Sequence, residues 1–409
     1  MQLPEDFVRE TRLLMGEARF SSYLEAFNEE APVSIRLNPK LYPGARPQPQ
    51  KPPTGAWPQY QVSWCPEGFY LEGRPQFTFD PLFHAGCYYV QEAASMFVCH
   101  ILRELSILSP LNVLDMCAAP GGKSTAMLSV LPEGSMLVSN EPIPTRAQIL
   151  LENITKWGAK NCIVTNNYPR DFKKAKAKFD LILCDVPCSG EGMFRKDPAT
   201  ISEWSLQNVE KCWRLQREIV ADAWECLNPG GILIYSTCTF NTKENEENVR
   251  WIMDTYDAEV IDIPTDPSWH ITGSLLEGFD APVYRFIPGI TRSEGLFVCV
   301  LRKSNHSSSL LTLNSKLKVL QTDLPKGEFP RVDLPYSEAL RYLRGEALVL
   351  PADTPRGIVT VTYKGFVLGP VKNIGNRANN LYPKPWRIKT THLPLEPLEI
   401  INIRTTEKS

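Results

Sequence analysis

The chain is short of several things, and each shortage excludes a class of protein. It has almost no net charge: 44 basic against 46 acidic residues give −2, so any surface for nucleic acid must be local. No apolar run approaches the ~20 residues of a membrane span. The opening MQLPEDFVRETRLL carries acids where a signal peptide carries bases, so export is not expected. Eleven cysteines, an odd number, lack the spacing of a disulfide framework and fit a reducing compartment. No internal repeat is visible. The expectation is a cytoplasmic protein without a membrane partner or a metal, and a monomer.

What is present reads as globular. Hydrophobic residues make up 43% and charged residues 22% of the 409, which excludes wholesale disorder. At roughly 150 residues per domain the length suits two or three domains. Proline is abundant, 35 residues, and seven of these lie between Pro39 and Pro58, a stretch expected to be extended. Residues 3–29 read as helical, and Tyr60 to Pro75 as short strands.

From about residue 96 short apolar runs alternate with helix-length amphipathic segments. NVLDMC (112–117), SMLVSNE (135–141), NCIVTN (161–166), FDLILCD (179–185) and GGILIYST (230–237) are the runs. This alternation predicts an α/β unit with a parallel sheet, whose ligands lie at the C-terminal strand ends. AEVIDIP (258–264) and GLFVCVLRK (295–303) are candidates to close the sheet. Residues 304–333 lose periodicity and read as a linker. Beyond it, 356–389 holds Arg356, Lys364, Lys372, Arg377, Lys384, Arg387 and Lys389 with no acid, interleaved with Tyr363, Phe366, Tyr382 and Trp386. Cations for phosphates and rings for unstacked bases suit RNA; a solvated basic face over core aromatics is the alternative.

The first strand runs into Cys117, Ala118, Ala119, Pro120, Gly121, Gly122, Lys123 and Ser124. Small residues ahead of a helix let backbone approach a ligand. Gly122-Lys123-Ser124 matches the tail of a Walker loop, but Cys117 stands where that loop needs glycine, and G-x-G-x-x-G is absent. Glu141, ending the second strand, is placed to accept both ribose hydroxyls of an adenosine and would repel phosphates beside it. An adenosyl cofactor without a phosphate chain, S-adenosylmethionine, fits best.

The fourth strand ends in Asp185-Val186-Pro187-Cys188 and the fifth in Ser236-Thr237-Cys238, so both cysteines leave the sheet at the ligand edge. Methylation of pyrimidine carbon 5 gives such a cysteine a purpose. A thiolate adding at carbon 6 makes carbon 5 nucleophilic enough to take a methyl from a sulfonium. Asp185 is the candidate to hold the base edge, or else a cap on the following turn.

These motifs, with DVPCSGEGMFRKDP and STCTFNTKENEENV, resemble the RNA cytosine-5 methyltransferases of the Nop/Sun family. Ser34–Asn38 and Gly86–Ala93 match upstream pieces of that family, and Tyr342–Glu346 with Gly375–Pro383 are similar to its RsmF-type ribosomal RNA branch. The resemblance implies a Rossmann-like seven-stranded methyltransferase core with an antiparallel last strand. It implies an N-terminal α+β RNA-binding unit (1–95), the core (96–305), a linker (306–333) and a small β, PUA-like domain (334–409). It makes Cys238 the nucleophile and Cys188 the cysteine that helps release product. Cofactor contacts carry over to Cys117 through Lys123, Glu141, Arg146 and Asp185. Lys123 is otherwise a solvated helix residue, and Arg146 a partner for Glu141 or Glu152. The substrate it implies is ribosomal RNA of the small subunit or its precursor particle.

One departure stands out. Relatives carry an acid after the third strand to touch adenine; here the segment is Val164 to Arg170, and Asn166 is the candidate. Asn241 and Glu244 have capping-box spacing. Two other readings stay open, a Walker-type NTPase and a non-catalytic RNA-binding assembly factor.

Overall fold

The computed structural model describes residues 3–41, 60–256, 258–304, 317–390 and 392–401. The proline-rich reading falls largely on 42–59, outside them. The helical stretch at the N-terminus is two helices, Glu5–Met15 and Glu17–Glu25, broken at Gly16, whose φ of +74° suits glycine. A four-stranded antiparallel sheet follows, ordered Tyr60–Val62, Cys65–Leu71, Val33–Leu37, Tyr88–Val90.

Arg36 binds this sheet to the core. Its guanidinium is fully buried, donates to Gln91 Oε1 (2.8 Å), Ser129 Oγ (2.8 Å) and Thr125 Oγ1 (2.6 Å), and lies 4.6 Å from the Trp157 ring centroid. A charge-assisted bond from each of its three nitrogens offsets the cost of burying the group.

The core is a doubly wound sheet. Its strands run in the order Ala258–Val260, Leu296–Lys303, Leu227–Thr237, Phe179–Asp185, Asn112–Asp115, Met136–Asn140, Cys162–Thr165. The five strands from Asn112 to Thr237 pair in parallel, and Leu296–Lys303 is antiparallel to its neighbours. This is the expected seven-stranded arrangement with two short additions, Tyr284–Phe286 and Val319–Leu320. The second corrects the linker reading: two residues pair antiparallel with Thr165 and Val164, too few for any periodicity to reveal. Strand order reverses between Asn112–Asp115 and Phe179–Asp185, which opens a crevice beyond their C-terminal ends.

The C-terminal unit has strands Arg331–Asp333, Gly357–Tyr363, Phe366–Asn373 and Ala378–Asn380 around the helix Tyr336–Arg344. Its apolar residues join those of the N-terminal sheet in one cluster: Leu334, Leu340 and Val371 pack with Ile35, Leu37 and Leu71. Tyr363 and Tyr382 are 5% and 2% exposed, so two of the four interleaved rings are core, not stacking platforms. Phe366 and Trp386 are half-buried, while Arg356, Lys372, Arg377, Lys384 and Lys389 are exposed. Among the described residues no helix is long and apolar enough to cross a membrane.

Candidate active site

A cavity of about 450 Å³ opens at the strand ends. Cys117, Ala118, Ala119, Pro120, Gly122, Lys123, Arg146, Asp185, Cys188 and Cys238 all line it, so residues up to 121 positions apart in sequence meet there. Gly121 stands behind the loop at the helix start with φ +113°, and a Cβ on it would lie 3.2 Å from Leu150. Gln91 and Glu92, just past the N-terminal sheet's last strand, close one side.

The carboxylate of Asp185 is held at both oxygens. Lys123 Nζ donates to one (2.7 Å) and Ser236 Oγ to the other (2.7 Å). Burial depresses the Lys123 pKa, but the adjacent Asp185 more than offsets this and keeps the ammonium charged. Lys123 is therefore no solvated helix residue. Arg146 donates to Ala119 O (3.0 Å) and lies 3.5 Å from Glu141, while Glu152 is taken by Lys156.

Glu141 is 1% exposed; its Oε1 accepts from the Ile143 N–H (3.0 Å), and its Oε2 has no hydrogen-bond partner. Asp115 ends the first strand and presents a second orphan: Oδ2 accepts from Ser124 Oγ (2.6 Å) and Oδ1 has no partner. Burial pushes its pKa to about 7, with Asp185 adding to the rise against the Ser124 hydroxyl. Asp115 lines the cavity, so its unsatisfied oxygen calls for a donor or a cation from a ligand; Glu141 is outside the lining, its Oε2 beside Arg146. Asp115 was not singled out from sequence, although an acid one strand-end ahead of the glycine loop was there to be read.

Asn166 corrects an expectation. Its Nδ2 donates to Glu141 O (2.8 Å) and Pro142 O (3.0 Å), and its Oδ1 accepts from Lys318 Nζ (2.8 Å). The carboxamide ties two strand ends together and is outside the cavity lining.

The two cysteine sulfurs are 3.2 Å apart, and the Cys238 N–H lies 3.3 Å from Cys188 Sγ. Sharing a hydrogen bond with Cys238, together with burial, raises the Cys188 pKa well above its ordinary value, so Cys188 keeps its proton. The capping box is also altered. Asn241 Oδ1 accepts from the Glu244 N–H (2.9 Å), but the return bond to the Asn241 N–H comes from Glu191 (3.0 Å). The helix itself starts at Glu246, which pairs with the buried Arg285.

With that geometry established, comparison with known proteins is decisive. The family model of the 16S rRNA methyltransferase RsmB/F matches residues 106–302. Models of the N-terminal domain and the PUA domain of RsmF match 3–93 and 329–388. A ribosomal RNA small subunit methyltransferase F of Escherichia fergusonii is 33% identical over 360 residues, covering 85% of this chain and 71% of the relative. The chain belongs to the RsmB/F methyltransferase family. Its counterpart in Cronobacter sakazakii is 35% identical over 313 residues, 74% of this chain and 63% of that protein. The match thus spans somewhat under two thirds of that relative's length. A methyltransferase homologue from Pyrococcus horikoshii has the same fold, with a TM-score of 0.56 and 25% identity over 74% of this chain and 100% of that one.

Proposed function

We propose that the protein methylates carbon 5 of a cytosine in small-subunit ribosomal RNA, with S-adenosylmethionine as donor and a transient bond from Cys238 to carbon 6. The observation that carries this reading is the pair of sulfurs 3.2 Å apart, on cysteines that line one cavity with Asp115 and its unsatisfied carboxylate oxygen. The cofactor fits those groups. Glu141 Oε2 suits the ribose hydroxyls, Asp115 suits a cationic group, and the loop from Cys117 to Lys123 with Arg146 supplies backbone and walls. When bound, the cofactor supplies an electrophilic methyl group on a sulfonium.

Cys238, as thiolate, forms a bond to carbon 6 and drives the 5,6 electron pair towards carbon 5. Asp185, held by Lys123 and Ser236, stands at the base edge, where a carboxyl can hold the ring by hydrogen bonds as charge moves into it. Once carbon 5 carries the methyl, its proton passes to a base, the 5,6 double bond re-forms and the carbon–sulfur pair returns to Cys238. Cys188, still protonated, donates to the departing sulfur. The target base must leave its stack to reach the thiol. The N-terminal sheet and the exposed cations of the C-terminal unit guide the RNA, and a cytoplasmic location follows from that substrate.

The test is methyl transfer from labelled S-adenosylmethionine to small-subunit RNA that lacks the modification, with the product nucleoside identified by mass. Label in 5-methylcytosine is expected. No label on free RNA or on assembled subunits would bring the assembly-factor reading forward.

A further inference from the structure

Each cysteine loop is fastened by a carboxylate that belongs to the other. Glu191, three residues after Cys188, accepts from the N–H groups of Phe240 (2.7 Å) and Asn241 (3.0 Å), just past Cys238. Glu244, six residues after Cys238, accepts from the N–H of Ser189 (3.0 Å), the residue next to Cys188. The Asn241 carboxamide donates to both, at 2.9 Å to Glu191 and 2.8 Å to Glu244. Further bonds complete the frame: Gly192 N–H to Cys238 O (2.8 Å), Ser189 Oγ with Thr239 Oγ1 (2.8 Å), and donors from Trp204 to Glu191 Oε1 (3.0 Å) and from Gln216 to Glu244 Oε2 (2.7 Å).

Glu191 and Glu244 are 2% and 0% exposed, and neither lines the cavity. Two acids buried within one network are costly unless every oxygen is satisfied, and a fully satisfied network is rigid. Burial and the neighbouring Glu191 push the Glu244 pKa to about 7, so the arrangement carries a stability cost that the donors only partly offset. That cost has a structural return at one place, the two sulfurs.

We propose that Glu191 and Glu244 form a reciprocal clasp that fixes the separation of Cys188 and Cys238, acting as positioning residues for release of the methylated product. This rests on the proposed cysteine chemistry, but the clasp itself can be tested without it. Diamide takes one hydrogen from each of two adjacent thiols, becomes the hydrazine and leaves one S–S bond, so its rate reports the spacing with no RNA or cofactor present. In the wild-type full chain, peptide mapping after diamide should find the Cys188–Cys238 disulfide. Glu191→Gln and Glu244→Gln keep the shape but turn an acceptor into a donor facing donors. Both should form the disulfide roughly ten-fold more slowly, with S-adenosylmethionine affinity unchanged. Given RNA and cofactor, both should accumulate a protein–RNA adduct that survives denaturing gels, as Cys188→Ala should. Simple loss of fold would slow the disulfide too, but it would also abolish S-adenosylmethionine binding and the adduct. If a glutamine variant does not fold, Asn241→Ala removes the bridge and leaves both acids in place. Wild-type disulfide rates in folded variants would overturn the clasp. Slow disulfide formation without an adduct in any variant, Cys188→Ala included, would uphold the clasp and reject the release role of Cys188.

Discussion

The cysteine edge of the core sheet and the C-terminal β unit were both marked out by residue type, and they behave differently. At the sheet edge, residues that end parallel strands converge whatever their separation in sequence, because the topology puts every C-terminal strand end on one side. Cys188 and Cys238, 50 residues apart, come to 3.2 Å. In the C-terminal unit the marker was composition, a basic stretch studded with rings, and composition does not say which way a ring points. Tyr363 and Tyr382 turned inward to fill a core shared with the N-terminal sheet, while the lysines stayed outside. Position in a fold predicts chemistry better than content does.

Five substitutions press on that contrast, taken from the largest effect down. Cys238→Ala should reduce methyl transfer by on the order of 10⁴-fold or more, about 5 kcal/mol of barrier, with the melting temperature unmoved; residual transfer near the wild-type rate would move the nucleophile elsewhere. Tyr382→Ala should cost about 3–5 kcal/mol of stability, read by chemical denaturation. A mere fall in RNA affinity at unchanged stability would return that ring to the binding surface.

Glu141→Gln and Asp115→Asn should each weaken S-adenosylmethionine by about ten-fold, since each removes a charged acceptor. For Asp115 the sign with pH follows from its pKa near 7, raised by burial. The cationic cofactor favours the carboxylate, so affinity should fall as pH drops from 8 to 6, and Asp115→Asn should flatten that slope; titration calorimetry at three pH values decides. The smallest effect belongs to Lys372→Glu. It should leave stability alone, weaken RNA binding a few-fold and lower the salt slope by about one. An unchanged slope would take Lys372 out of the RNA surface.

Much of the candidate site was legible because the residues that line its cavity sit in short strand-end motifs. The seven core strands could be read from their apolar runs, and Lys123, Asp185 and both cysteines from the turns that follow. What escaped depends on long-range partners. Glu244 has the spacing of a capping box, but the N–H it was meant to satisfy went to Glu191, 50 residues away in sequence from Asn241. Asn166 looked like an adenine contact until Lys318 and the backbone of Glu141 claimed its carboxamide. Arg36 reads as an ordinary strand residue, and only the packed structure shows it buried against the helix Gly122–Val130. The orphan oxygen of Asp115 is a property of its surroundings, which no local pattern encodes.

The central claim is that Cys238 attacks the base and Cys188 does not. RNA carrying 5-fluorocytosine tests it directly, because fluorine at carbon 5 cannot leave as a proton does and the carbon–sulfur bond then persists. Incubated with S-adenosylmethionine and digested, the adduct should map to the peptide that holds Cys238. An adduct on the Cys188 peptide would contradict the account.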